Sequence, residues 1–162
     1  MSEASRAGGA MRDTPFYRHW FQGIGEFLET AAPAAIDAFV ERCAESCSAS
    51  YSRGVYERAF AGGRDIAGAL AELKRAFADF DYTLDGNRIE IRYARCGCDL
   101  VNDGLLSSPM LCACSVASCR KNFEAALGPG SVSVELRDSV LKGDGRCALV
   151  VTVLDRVAPP RT

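Results

Sequence analysis

The chain has 162 residues, 48% of them hydrophobic and 25% charged, with a formal net charge of −2 and a pI near 5.5. This length buries roughly two-thirds of the unfolded surface, so folding needs no covalent staples. Scattered Lys and Arg residues exclude the concentrated basic face that a nucleic-acid partner requires. No run approaches ~18 apolar residues and residues 1–10 have no apolar centre, so neither a membrane span nor a signal peptide is expected.

Residues 1–13 are small and polar and read as a flexible leader, with Met11 as an alternative start. A single domain is expected over 14–157. Residues 15–31 read as a helix with Phe16, Trp20, Ile24, Phe27 and Leu28 at helical spacing, weakened by Gly23 and Gly25. Pro33 suits the first turn of a second helix ending near residue 48, with Ile36, Phe39, Val40, Cys43 and Cys47 on one face. Residues 51–61 have room for another helical turn. Gly62-Gly63-Arg64-Asp65 lacks the lysine of a phosphate loop and reads as the start of a third helix, whose stripe is Ile66, Leu70, Leu73 and Phe77.

Alternation then replaces the helical period. Phe80, Tyr82 and Leu84 precede Asp85-Gly86-Asn87, and Ile89, Ile91 and Tyr93 follow it, which is a β-hairpin pattern. Residues 95–111 read as a loop. Ser115 can cap a helix over 116–127 with Val116, Cys119, Phe123 and Leu127 inward, stopped by Gly128-Pro129-Gly130. Val132, Val134 and Leu136 alternate, a turn follows at 142–145, and residues 146–154 are apolar on both faces, as in a central strand. The expected fold is α+β, with N-terminal helices packed on an antiparallel sheet of two hairpins in the order ββ-loop-α-ββ.

The chemistry concentrates in the cysteines. Eight cysteines in 162 residues fall below the ~8–10% of a secreted disulfide scaffold. A reducing, cytoplasmic setting is therefore expected, where clustered thiols bind metal or react. Cys96-Gly97-Cys98 and Cys112-Ala113-Cys114 flank one loop, and four soft sulfurs there can converge on a zinc ion at about 2.3 Å. Copper(I) or an iron–sulfur cluster suits the same donors. Cys112 and Cys114, just before a helix start, gain thiolate character from its dipole. Arg92, Arg95, Arg120 and Lys121 lie near the loop in sequence and can favour thiolates or an anionic ligand. Cys43, Cys47, Cys119 and Cys147 read first as core residues, the sole histidine, His19, as a packed or surface residue, and Asp99 and Asp103 as loop carboxylates able to carry protons.

The run from Val132 through Glu135, Ser139, Gly143 and Asp144 to Cys147 resembles the end of 4-vinyl reductase domains, which are small-molecule or hydrocarbon-binding modules. The wider pattern of Cys43-x-x-x-Cys47, Cys96-x-Cys98, Cys112-x-Cys114-Ser115 and that ending resembles cysteine-rich bacterial proteins similar to the aminothiazoline-carboxylate hydrolase family. The resemblance covers about residues 35–154. It implies an α+β ligand pocket between helices and sheet, lined by aromatic and apolar residues of the early helices. In some sensor domains of the first kind, zinc takes a Cys at the position of Cys147, another eight residues earlier, and a nearby Glu. Here Ser139 holds that earlier position and Glu135 is out of register, which turns the metal expectation to Cys96, Cys98, Cys112 and Cys114.

The expected function is a cytoplasmic zinc-thiolate domain that binds a small, partly apolar molecule as a sensor or carrier, with a homodimer left open. One alternative is a hydrolase of a sulfur or nitrogen heterocycle using metal-bound water or a thiolate, with Asp99 or Asp103 carrying protons. The other is a thiol–disulfide redox module.

Overall fold

The computed structural model describes residues 15–61 and 64–154. The leader expected over 1–13 and the Gly62-Gly63 part of the helix-start turn lie outside the described residues. Helix α1 (Pro15–Thr30) and helix α2 (Pro33–Cys47) each begin on a proline, whose fixed φ suits the first turn and whose missing N–H costs nothing there. A π-helical turn (Ser48–Ser52) carries α2 directly into α3 (Arg53–Phe60). The serine-rich stretch is therefore a wide helical turn. Its inward hydroxyl, Ser48, is buried and donates to Asn122 Oδ1 at 2.7 Å, and Ser52 donates to the same oxygen at 3.1 Å.

Helix α4 (Ile66–Ala76) starts where the sequence places it. Asp65 is its N-cap, and the carboxylate accepts from the Gly68 amide at 2.8 Å, which satisfies an otherwise unpaired first-turn N–H. Strands β1 (Phe80–Asp85) and β2 (Arg88–Tyr93) pair in register from Phe80↔Tyr93 to Asp85↔Arg88. Gly86 takes a φ of +57° as the first residue of the two-residue turn, the position where tight hairpins need glycine.

A four-residue helix, α5 (Asp99–Asn102), interrupts the expected loop, and helix α6 spans Leu111–Leu127. The expected start at residue 116 is corrected. Ser108 and Pro109 open the segment, with the Met110 amide on Ser108 Oγ at 3.3 Å and the Leu111 and Cys112 amides on the carbonyls of Ser108 and Pro109. Ser115 is no cap, and Cys112 and Cys114 lie inside the helix. Strands β3 (Val132–Asp138) and β4 (Cys147–Val153) complete the sheet in the order β1-β2-β4-β3, all neighbours antiparallel. Their link contains a short 3₁₀ turn (Val140–Lys142) and Gly143 in the left-handed region.

The α+β expectation is borne out, and β4 is central as its continuous apolar run requires. One sheet face presents Ile89, Ile91, Leu149 and Val151 to the helices, where Tyr56, Leu70, Leu73 and Phe123 complete the main core. Rings lock that core: Phe123 meets Tyr56 at 5.1 Å and Phe60 at 5.9 Å, both edge-on. The other face carries Ala148 and Val150, buried beside their cross-strand neighbours Arg92 and Glu90, and Arg92 pairs with Asp81 as Glu90 pairs with Arg137. A second core joins Leu28 of α1, Ile36 and Val40 of α2, Leu106 of the loop and Leu111 of α6. Phe16 and Trp20 of α1 stay exposed.

Candidate thiol groups and ligand cavity

Residues two apart on an α-helix project about 200° from each other, so Cys112 and Cys114 cannot face one point. Cys112 is buried, with its Sγ 3.0 Å from the Oγ of fully buried Ser139. Cys114 packs instead against the second core. Cys96 and Cys98 are both half-buried, and Cys147 is among the groups whose charge disfavours the Cys96 thiolate. The four cysteines singled out by spacing do not converge on one point: Cys112 is buried against Ser139, whereas Cys114 packs on the second core.

Cys43 and Cys47 are not the core residues their stripe suggested. The buried face of α2 is Ile36, Val40 and Ala44, continued by Ser48, and the two cysteines lie one residue round the helix. Cys43 is half-buried and Cys47 exposed. Cys119 does face inward and is buried under the sheet. Cys147 is half-buried at the start of β4, paired with Tyr93.

Cys114 does not gain the expected thiolate character. Burial pushes the Cys114 thiol up to about 12, helped by Cys47, Cys43 and Cys98, and burial likewise raises Cys119 to about 12. Cys43, Cys96 and Cys98 are also raised, burial leading in each case. The basic residues near the loop are spent on carboxylates. Arg95 pairs with Asp79, Arg120 with Glu41 and Glu124, and Lys121 with Glu41 and Glu45. The local counterforce is backbone. Cys98 stands at the N-cap position of α5, where the amides of Val101 and Leu100 favour its thiolate without closing a capping hydrogen bond. The Cys98 amide does the same for Cys96. Among the described residues, no group of three or more His, Cys, Asp or Glu is arranged to hold a metal ion as it stands.

An open cavity of about 530 Å³ lies between α2, the start of α6 and β3. Val40, Met110, Ala113, Val116 and Leu136 give it apolar walls, Cys112 contributes to the lining, and Asp37, Glu41, Arg120 and Lys142 supply charge. The pocket draws only α2 from the early helices. The aromatic residues of α1 line a separate groove of about 530 Å³, where His19, Trp20 and Phe27 meet Phe39 of α2. Asp99 and Asp103 are exposed. Sequence reading missed the Cys112–Ser139 contact and the buried Ser48–Asn122 pair. The Ser108-Pro109 step would have moved the start of α6 and put Cys112 on an inward face.

No family model matches the chain and no curated protein matches it, so neither family resemblance read from the sequence has such a match behind it. Among solved structures the chain is similar to the phenol-responsive sensory domain of the transcription activator PoxR with phenol, at 12% identity and a TM-score of 0.53, covering 85% of this chain and 74% of that one. It is also matched to a trafficking protein particle complex subunit 3 from Naegleria fowleri covalently bound to palmitic acid, at 11% identity and a TM-score of 0.46, covering 86% and 96%. At this identity the first match shows a shared fold. No helix among the described residues is long and apolar enough to cross a membrane.

Proposed function

We propose that the chain binds a small, partly apolar molecule in the α2–α6–β3 cavity, as a sensor or carrier, and that thiolates at its cysteine-rich end hold zinc. The observation that carries the first part is the cavity itself. Its volume lies within the ~300–1,000 Å³ of small-molecule sites, and apolar walls with a few polar groups are the usual lining of such sites. The fold likeness to a phenol-responsive sensory domain supports the same class. Zinc is the ion proposed because it takes thiolates directly and needs no redox partner. No observation favours the hydrolase alternative, since its two expected proton carriers are exposed on or beside α5.

The cavity is tested with anilinonaphthalene sulfonate as an environment-sensitive probe and phenol as competitor. Ala113 is exposed and lines the cavity, so Ala113→Trp fills it without entering the core. Dye fluorescence should rise with the wild type, fall on adding phenol, and be largely absent with Ala113→Trp at an unchanged melting temperature. Equal dye binding by the variant would remove the cavity from the account. Zinc is tested by mass spectrometry of protein purified without oxygen or chelator, with about one ion per chain expected.

A further inference from the structure

We infer that the outward face of α1 is a docking surface for a second copy of this chain, with the two α1 helices lying antiparallel across a two-fold axis. The surface is independent of both the ligand cavity and the metal reading. The inward face of α1 is already used: Leu28 is buried in the second core, and Phe21 and Ile24 pack against it. The outward face carries Phe16, Trp20, Gly23 and Phe27, spaced by four, three and four residues, which is the seam pattern of paired helices. Phe16 is 66% exposed, Trp20 56% and Phe27 38%, and aromatic rings gathered on one solvated face mark an interaction surface.

The stripe is complementary to itself. Its spacing reads the same in either direction, so an antiparallel copy brings Phe16 against the second copy's Phe27 and Trp20 against its Gly23. Trp20, Gly23, Ile24 and Phe27 stand at i, i+3, i+4 and i+7, the four corners of the hole that takes one side chain from a facing helix. With His19 and Phe39 of α2 they line the groove of about 530 Å³. Glycine leaves that hole deep, since a Cβ at Gly23 would meet nothing within 4 Å. The residue weakens α1 as a helix and makes room for an indole.

The charges agree. Arg18 and His19 lie near the N-terminus of α1 and Glu26 and Glu29 near its C-terminus, with no acidic residue in the first turn and no basic residue in the last. That order opposes the dipole of the helix itself. It suits an antiparallel neighbour, whose acidic half lies beside the basic half. His19 and Glu26 are both exposed and seven residues apart on one flank of the stripe, so each imidazole comes opposite the other copy's Glu26 carboxylate. Gln22 orients that carboxylate by donating to it at 3.0 Å. One helix from each copy makes a small interface, in the class below ~1,200 Å², so the dimer forms and parts with concentration.

The test is sedimentation equilibrium of the full chain over a range of concentrations, with the emission of Trp20, the one tryptophan of the sequence, followed in parallel. The wild type should pass from monomer to dimer as concentration rises, and Trp20 emission should move to shorter wavelength in step. Trp20→Ala and Gly23→Gln should each weaken the dimer by about 30-fold or more, as loss of an interface hot spot does. Both positions are exposed, so the circular dichroism of each variant should match that of the wild type. His19→Glu should weaken the dimer about two- to fivefold, and adding Glu26→Lys should restore it to within about twofold. A wild type that stays monomeric throughout, or dimers of wild-type strength in both Trp20→Ala and Gly23→Gln, would overturn the proposal. No restoration by Glu26→Lys would overturn the antiparallel pairing. Trp20 emission that shifts without dimerisation on adding phenol or phosphatidylcholine vesicles would assign the face to a small ligand or a membrane surface and overturn it equally.

Discussion

The helix layer has two ends built on different physics. Under the sheet, Tyr56, Phe60 and Phe123 interlock with Ile89, Ile91 and Val151, and Phe123 is fully buried. At the other end, α2 meets α6 through the smaller aliphatic core of Ile36, Val40 and Leu111 and through ion pairs and a buried Ser–Asn pair around it. Ring shape fixes the first end. The second combines a small aliphatic core with directional, partly solvated contacts, the kind of region that can admit a ligand and adjust around it.

The contrast breaks if the ends prove equally rigid, and Phe123→Ala is the heaviest blow to the first. It should cost about 3–5 kcal/mol by urea unfolding; a cost under about 1 kcal/mol would mean that the aromatic end is not the keystone. Asn122→Ala removes the acceptor of the buried Ser48 hydroxyl, leaving it only the Arg53 Nε donor at 3.3 Å, and should cost about 1–3 kcal/mol, with faster amide exchange through the π-helical turn at 48–52. Unchanged exchange there would show that the turn holds without its polar partner.

Acid should loosen the second end first. The hydrogen bond from Lys121 leads in holding the Glu41 carboxyl below its ordinary value of 4.5, and the bond from Arg53 leads in doing so for Glu45. A depressed folded-state pKa contributes stability that is present above the unfolded value and lost as pH falls through the folded one. The melting temperature should thus drop as pH falls below about 4.5, less so in Glu41→Gln. Because these pairs are exposed, salt should shrink the effect; a drop of equal size at high salt would place its origin elsewhere. The mildest change is Cys47→Ser in metal-free protein. Its exposure predicts a shift within about 0.5 kcal/mol, and a cost like that of Phe123→Ala would make Cys47 a packing residue after all.

Much of this architecture was legible before folding. Pro15, Pro33 and Asp65 mark helix starts, Asp85-Gly86 marks a turn, and the two-faced apolar run of 146–154 marks the central strand, found at Cys147–Val153. Two boundaries were misread for physical reasons. The serines at 48–52 looked like a break because their partner, Asn122, lies about seventy residues away. The sequence puts the start of α6 too late because Ser115 offers a cap just after Cys112 and Cys114, whereas the helix already begins at Leu111. The grouping of the thiols was the least legible feature. Sequence spacing joins Cys112 to Cys114, but both lie inside α6, where residues two apart project to nearly opposite sides.

The central claim is that the cavity between α2, α6 and β3 receives a small, partly apolar molecule, and nuclear magnetic resonance reads this most directly. On titrating phenol into the ¹⁵N-labelled chain, amide shifts should saturate and map to Val40, Met110, Ala113, Val116 and Leu136. Shifts confined to the α1 groove around Trp20 and Phe27, or no saturable shifts at all, would contradict it.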